Sequence, residues 1–186
     1  MGQLENIDHI VVLILENRSF DSMLGKLYAK SADFEGLSGN EQNLGALGVT
    51  VPVWSGTGTD ETTMRIPDPD PGELWTDINT QLFATANVPD PTPVPTMSGF
   101  VKNYLDQKTL NPAENYDAKS VMHYFTPDQV PVLSKLAKQF AVCDRWFASA
   151  PCQTWPNRWF VRIRRQTLST HVHSVRMFAA AKQMTV

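Results

Sequence analysis

The chain has 186 residues, 42% hydrophobic and 19% charged, with 13 prolines and a formal net charge of −3. That balance excludes a disordered chain and a collagen-like repeat, and no run approaches the roughly 20 apolar residues of a membrane span. The start, Met1 to Asn6, has no basic stretch ahead of an apolar one, so neither a signal peptide nor a transmembrane segment is expected and the localisation stays open. Cys143 and Cys152 are too few for a disulfide-stapled fold and lack zinc-ribbon spacing. All 19 acidic residues lie at or before Asp144, whereas seven of the 16 basic ones follow it, so the two parts carry about −10 and +7. One globular domain is the default organisation.

In chain order, Ile7–Leu15 is a near-continuous apolar run that stops at the polar cluster Glu16-Asn17-Arg18-Ser19, as a strand buried on both faces of a parallel sheet does. Ser19 or Asp21 is placed to cap a short helix through Met23 and Leu24, closed by Gly25. From Lys30 to about Ser98, Gly, Thr and Pro recur, which predicts long surface loop. Inside it only Leu74–Phe83 has helical apolar spacing, and a second helix is expected over Phe100–Leu105. Thr126 with Gln129 forms a capping-box pattern with Pro127 at the first helical position, and Val130, Leu133, Leu136, Ala137 and Phe140 follow on one face. Leu13, Leu133, Leu136 and Phe140 are therefore expected in the core. Ala141–Phe147 reads as a short apolar strand, and Ser149–Arg158 as a turn rich in Pro and small polar residues. There is no internal repeat.

Two clusters carry the chemistry, both where a predicted strand ends, the position at which open parallel sheets collect active sites. Glu16 and Asn17 offer oxygen donors of the kind a divalent cation accepts. On spacing alone the same pair also serves as a solvated turn. In Pro151–Arg158, the Thr154 hydroxyl is a potential nucleophile and the Arg158 fork a potential phosphate holder. A proline-bounded turn in which Thr154 bonds local backbone accounts for the same residues. Cys152 has no catalytic partner in its neighbourhood and reads as a packing residue.

Together the clusters resemble the phosphoesterase family of bacterial and plant phospholipases C and acid phosphatases. The resemblance is carried by Ile7–Asp21, ending in Glu-Asn-Arg-Ser-Phe-Asp, and by Asp144–Arg158, with Tyr124–Phe140 between them. It covers residues 4 to about 161 and is weakest across the proline-rich loops. It implies an α/β, alkaline-phosphatase-like fold, a mostly parallel sheet flanked by helices and truncated in this chain. The organisation expected is residues 1–161 as the amino-terminal part of the phosphoesterase domain and 162–186 as a divergent basic tail. The implied activity is hydrolysis of phosphate esters by metal-assisted attack of a Thr hydroxyl. Glu16, Asn17 and Thr154 match the positions that bind a divalent metal ion, Thr154 matches the catalytic nucleophile, and Arg158 is the candidate substrate-binding residue. The implied partner is a phosphate ester or phospholipid substrate, with transient membrane-surface contact and no specific nucleic acid.

The departures from the pattern matter equally. Family members complete the metal site with an Asp-Asp pair and place histidines for leaving-group protonation far downstream, beyond Val186. Many carry His after the Asp-Pro-Gly that is Asp70-Pro71-Gly72 here, where this chain has Glu73. After Val161 the segment beginning Arg162-Ile163-Arg164-Arg165-Gln166 leaves the family pattern, as a frameshifted gene end does. Of the four histidines, His9 and His123 read as structural, and His171 and His173 alternate as strand metal ligands would, in that tail. Two other readings follow: a catalytically inactive fragment, and a binding module using its basic tail.

Overall fold

Asn43 explains how the proline-rich stretch acquires a core. It lies in β1 (Gln42–Leu44), which pairs antiparallel with β2 (Thr50–Pro52) in the register Asn43 to Val51. The two strands form the only sheet among the described residues, which in this computed structural model are 9, 11–64 and 66–159. Asn43 points inward and its Oδ1 accepts from the backbone N–H groups of Phe100 (2.8 Å) and Val101 (3.4 Å), while its Nδ2 donates to Met97 O at 3.2 Å. Those N–H groups are orphan donors at the start of helix α3 (Phe100–Asp106), so a strand residue caps a helix 57 positions away.

Helix α3 buries Phe100, Val101 and Tyr104 on one face, the spacing a helix gives to positions one turn apart. Val101 and Tyr104 join Val51, Val121 and Met122 in the core, each large side chain contributing roughly 1.5–3 kcal/mol by leaving water. Helix α2 (Trp75–Phe83) packs on α3 and buries Ile78 and Leu82. The two backbones approach so closely at Gly99 that a Cβ there would lie 1.7 Å from Thr80 O. The stretch expected to be surface loop thus supplies Phe34, Leu37 and Val51 to the interior, beside Ile78 and Leu82 of the expected helix. The β1–β2 hairpin, made of two three-residue strands, is too short to stand out against its Gly- and Thr-rich surroundings.

Helix α1 (Phe20–Leu24) has the expected cap, with Ser22 N donating to Ser19 Oγ at 3.0 Å. Gly25 ends it in right-handed geometry (φ −60°), and a Cβ there would press on Asp21 O, so close approach rather than a left-handed turn requires the glycine. Phe125 N donates to Ser22 O at 2.8 Å, and a single parallel bridge joins Trp54 to His123.

Helix α4 spans Pro131–Gln139, so Pro131, not Pro127, occupies the first position. The Thr126 and Gln129 pair does form half of its box: Gln129 Oε1 accepts from Thr126 N at 2.8 Å. Gln129 Nε2 then turns away to Gly56 O and Gly58 O, tying this turn to the 55–58 loop and delaying the helix.

Two expectations need correction. Leu13 (63% exposed), Leu136 (40%) and Phe140 (70%) are not core, because nothing among the described residues covers the run 11–15 or that face of α4. Leu133 is half-buried. Segment 141–147 is irregular, held by Asp144 Oδ2 accepting from Glu35 N (2.6 Å) and by the Arg145 to Glu35 ion pair (2.9 Å). Among the described residues the sheet is the antiparallel β1–β2 pair, and residues 11–15 have no ladder partner there. No helix among them is long and apolar enough to cross a membrane. The 162–186 tail, with His171 and His173, lies outside the described residues.

Candidate functional site

The string Glu16-Asn17-Arg18-Ser19-Phe20-Asp21 divides its labour. Ser19, Asp21 and Ser22 are buried and anchor α1, and Arg18 Nη2 donates to Ser22 Oγ at 3.2 Å. Burial pushes the Arg18 pKa down, against the attraction of Asp70. Glu16 and Asn17 stand outside this anchor and face solvent. A rigid, capped base thus presents two oxygen-bearing side chains at the surface.

Two partners meet them. The Glu16 carboxylate pairs with the Arg158 guanidinium through both Nε and Nη2. Asn17 Nδ2 donates to Glu73 Oε1 at 3.1 Å. The backbone on either side of Glu73, at Gly72 and Leu74, is tied to a polar network in the α2–α3 seam: Gln81 Nε2 donates to Gly72 O (2.8 Å) and to Asn103 Oδ1 (2.9 Å). Asp77 Oδ1 accepts from Asn103 Nδ2 (3.0 Å) and Gln107 Nε2 (2.9 Å), while its Oδ2 accepts from Leu74 N (2.9 Å). Gly72 leaves no room for a side chain, since a Cβ would lie 2.4 Å from Asp77 Cγ.

Thr154 opens a helical turn over 154–159 and is half-buried. Arg158 follows it by four residues, on the same helical face. The loop ahead of Thr154 is stapled by Asn157, whose Nδ2 donates to Ala150 O (3.0 Å), Cys152 O (2.9 Å) and Gln153 O (3.2 Å) while its Oδ1 accepts from Ala150 N (3.0 Å). Cys152 thus contributes backbone to the turn. The structure therefore joins Glu16 to Arg158, with Thr154 one helical turn before that arginine, and joins Asn17 to Glu73.

Asn157 and Glu73 are the residues whose positions the sequence reading missed. An Asn inside a Pro-bounded turn is the available signal for the first. The second was visible only as a departure from the family pattern. His9 is exposed. His123 is buried between Trp54 and Phe125, its ring 4.6 Å and 4.8 Å from theirs, with no hydrogen-bond partner on either nitrogen. Burial, aided by the Arg18 charge, pushes its pKa down. It is a packing residue, as expected.

As a metal centre the arrangement is partial. Glu16, Asn17 and Thr154 offer hard oxygens, but a hard divalent cation takes about six, and the Glu16 carboxylate is already turned onto a guanidinium. Among the described residues no group of three or more His, Cys, Asp or Glu gathers where one ion could be held. Glu16, Asn17 and Thr154 by themselves supply three oxygen-bearing side chains, short of the about six donors of a full shell.

A sequence model of the Phosphoesterase family matches residues 7–165. Non-specific phospholipase C3 of Arabidopsis thaliana is 39% identical over 156 residues, covering 83% of this chain and 29% of that protein. Non-specific phospholipase C1 of the same plant is 37% identical over 155 residues, covering 83% and 27%. Phospholipase C A of Mycobacterium tuberculosis is 30% identical over 165 residues, covering 84% and 29%. The chain thus spans under a third of the length of these relatives. The matched range takes in both the Glu16-Asn17 rim and the Thr154 turn, and the chain belongs to the phosphoesterase family.

Proposed function

We propose that this chain carries the amino-terminal share of a phosphoric ester hydrolase centre of the phospholipase C type. The observation that carries the reading is the contact between Glu16 and Arg158, which links the two family segments across 142 residues of sequence. In this reading the Thr154 hydroxyl attacks phosphorus, the alcohol leaves, and water cleaves the phospho-threonine formed. Arg158 grips phosphoryl oxygens once released from Glu16, its planar fork matching two oxygens at once. Glu16, Asn17 and Thr154 are this chain's contribution to a divalent metal site, short of a full shell.

The substrate class is a phosphate ester, with phospholipid favoured by the exposed Trp146, Trp155 and Trp159 around the Thr154 turn, since indole rings partition to the lipid interface. The fold proposed for the domain is the mostly parallel, alkaline-phosphatase-like sheet, with residues 1–161 belonging to it and 162–186 as a separate basic tail. The family match over residues 7–165 supports that sheet.

The test is release of phosphate from aryl phosphates, and of head group from phosphatidylcholine, with added divalent metals. The 186-residue chain is expected to turn over little or nothing, because its ligand set is short. A chimera adding the remaining length of a curated relative is expected to be active, and Thr154→Ala in that chimera to lose about 10³-fold or more. A chimera that is active and indifferent to Thr154→Ala would remove Thr154 from the reaction. Robust metal-dependent turnover by the chain alone, abolished by Thr154→Ala, would overturn the partial-site reading.

A further inference from the structure

Asn17 carries an amide with two unlike ends, and only one of them is engaged. Its Nδ2 donates to Glu73 Oε1 at 3.1 Å, whereas Oδ1 meets no donor among the described residues. An ionised carboxylate accepts hydrogen bonds and cannot donate them, so an amide resting on Glu73 must offer it the NH2 group. The carbonyl oxygen is thereby turned to the opposite side of the amide. On the exposed Asn17 that oxygen stands free as a hard ligand atom.

Glu73 is a fixed point for this contact because the chain is tied on both sides of it. Upstream, Pro69 O accepts from Tyr104 Oη at 3.0 Å and Gly72 O accepts from Gln81 Nε2 at 2.8 Å. Downstream, Leu74 N donates to Asp77 Oδ2 at 2.9 Å. Tyr104 and Gln81 are buried, so two of these ties lead into the α2–α3 interior. On the other side, the buried Ser19 caps α1 two residues after Asn17. Two segments 56 residues apart thus meet at one hydrogen bond, and neither has much backbone freedom left to lose in making it.

We infer that Glu73 is a positioning residue: by holding the NH2 of Asn17 it presents the Asn17 carbonyl oxygen as a ligand for a divalent cation. The cation rests on the hydrolase reading above, whereas the orientation of the amide stands on the Glu73 contact itself. Without Glu73, rotation about the last side-chain bond exchanges oxygen and NH2, and an NH2 turned toward a cation repels it. A charged acceptor also makes a stronger bond than a neutral one, and pulling on the N–H end gathers negative charge on the carbonyl oxygen. Glu73 stands where this chain departs from the family pattern, so the role is read from the contact and not carried over by resemblance.

The experiment is 1H–15N NMR of the full chain with Mn2+ alone as the probe, reading the Asn17 Nδ2 signals, which are assigned by their loss in Asn17→Ala. In the unmodified chain their heteronuclear NOE is expected to match that of the α1 backbone amides. Mn2+ is expected to broaden them with a Kd of about a millimolar, as a short set of oxygen ligands allows. Glu73→Leu, with circular dichroism unchanged, is expected to drop the NOE to that of a free exposed amide and to weaken Mn2+ at Asn17 about threefold or more. Glu73→Gln keeps an acceptor of the same reach without the charge, and is expected to preserve the NOE and to leave the Kd within about twofold. A mobile Asn17 amide in the unmodified chain, or a Glu73→Leu variant that changes neither readout, would overturn the inference. Equal weakening by Glu73→Gln and Glu73→Leu would overturn it as well, since charge rather than orientation would then govern the cation. Mn2+ that leaves a fixed Asn17 amide unbroadened would refute the metal reading of Asn17, with the Glu73 contact intact.

Discussion

His123 shows how one side chain is settled by its surroundings. Its ring is buried between Trp54 and Phe125 with both nitrogens unpartnered, so the neutral form is favoured. Because its folded pKa lies below the ordinary value of 6.5, the unfolded chain binds the extra proton first. Stability from this residue is therefore complete above about pH 6.5 and falls as the pH drops below it. Thermal melts between pH 7.5 and 5 should show that decline, and His123→Phe should flatten it, since phenyl keeps the aromatic stack without a titrating group. A slope identical in the variant would assign the acid sensitivity elsewhere. Glu41 behaves differently. Three backbone N–H contacts and Ser38, outweighing desolvation, hold its pKa at about 2, so its contribution persists well into acid. Sequence made Glu16, Asn17, Thr154 and Arg158 legible as candidates because their neighbours form family strings. It did not reveal that Arg158 rests on Glu16 or that Asn157 staples the turn, because both are matters of distance between segments.

At the scale of elements, helical periodicity located α2 and α3 within a residue or so, because each buries one face at a turn's spacing. Their junction explains two residues that propensity alone would misjudge. Ala84 ends α2 at φ 58°, in the left-handed region that costs a side-chain-bearing residue roughly 1–2 kcal/mol. Gly99 sits where Thr80 O leaves no space for a Cβ. Ala84→Gly is thus expected to stabilise the protein by about 1 kcal/mol, and Gly99→Ala to destabilise it by about 2 kcal/mol or more, both read as shifts in the urea midpoint. The reverse order would mean that the α2–α3 junction is packed otherwise. The start of α4 was misread by four residues because a capping-box pair also makes an isolated turn, and Gln129 prefers the carbonyls of Gly56 and Gly58.

On the scale of the whole molecule, the hydrophobic surface is unevenly distributed. The core lies around α2, α3 and the hairpin, whereas Val11 (93%), Phe140 (70%) and Trp155 (70%) face solvent. Such patches attract apolar dyes. The folded chain should enhance 8-anilinonaphthalene-1-sulfonate emission at neutral pH, and Phe140→Ser should reduce the enhancement while changing stability by no more than about 0.5 kcal/mol. A large loss of stability would place Phe140 in a packed environment instead. The amino-acid sequence by itself determined the family, the two chemical clusters, the capped α1 and the amphipathic α2 and α3, because local periodicity and short strings encode all of these. Only the tertiary structure decided that the proline-rich stretch builds the core, that residues 11–15 and α4 lie open, and that Glu73 meets Asn17. Each of those depends on which distant surfaces come together, and hydrophobic pattern marks a face for burial without naming what covers it.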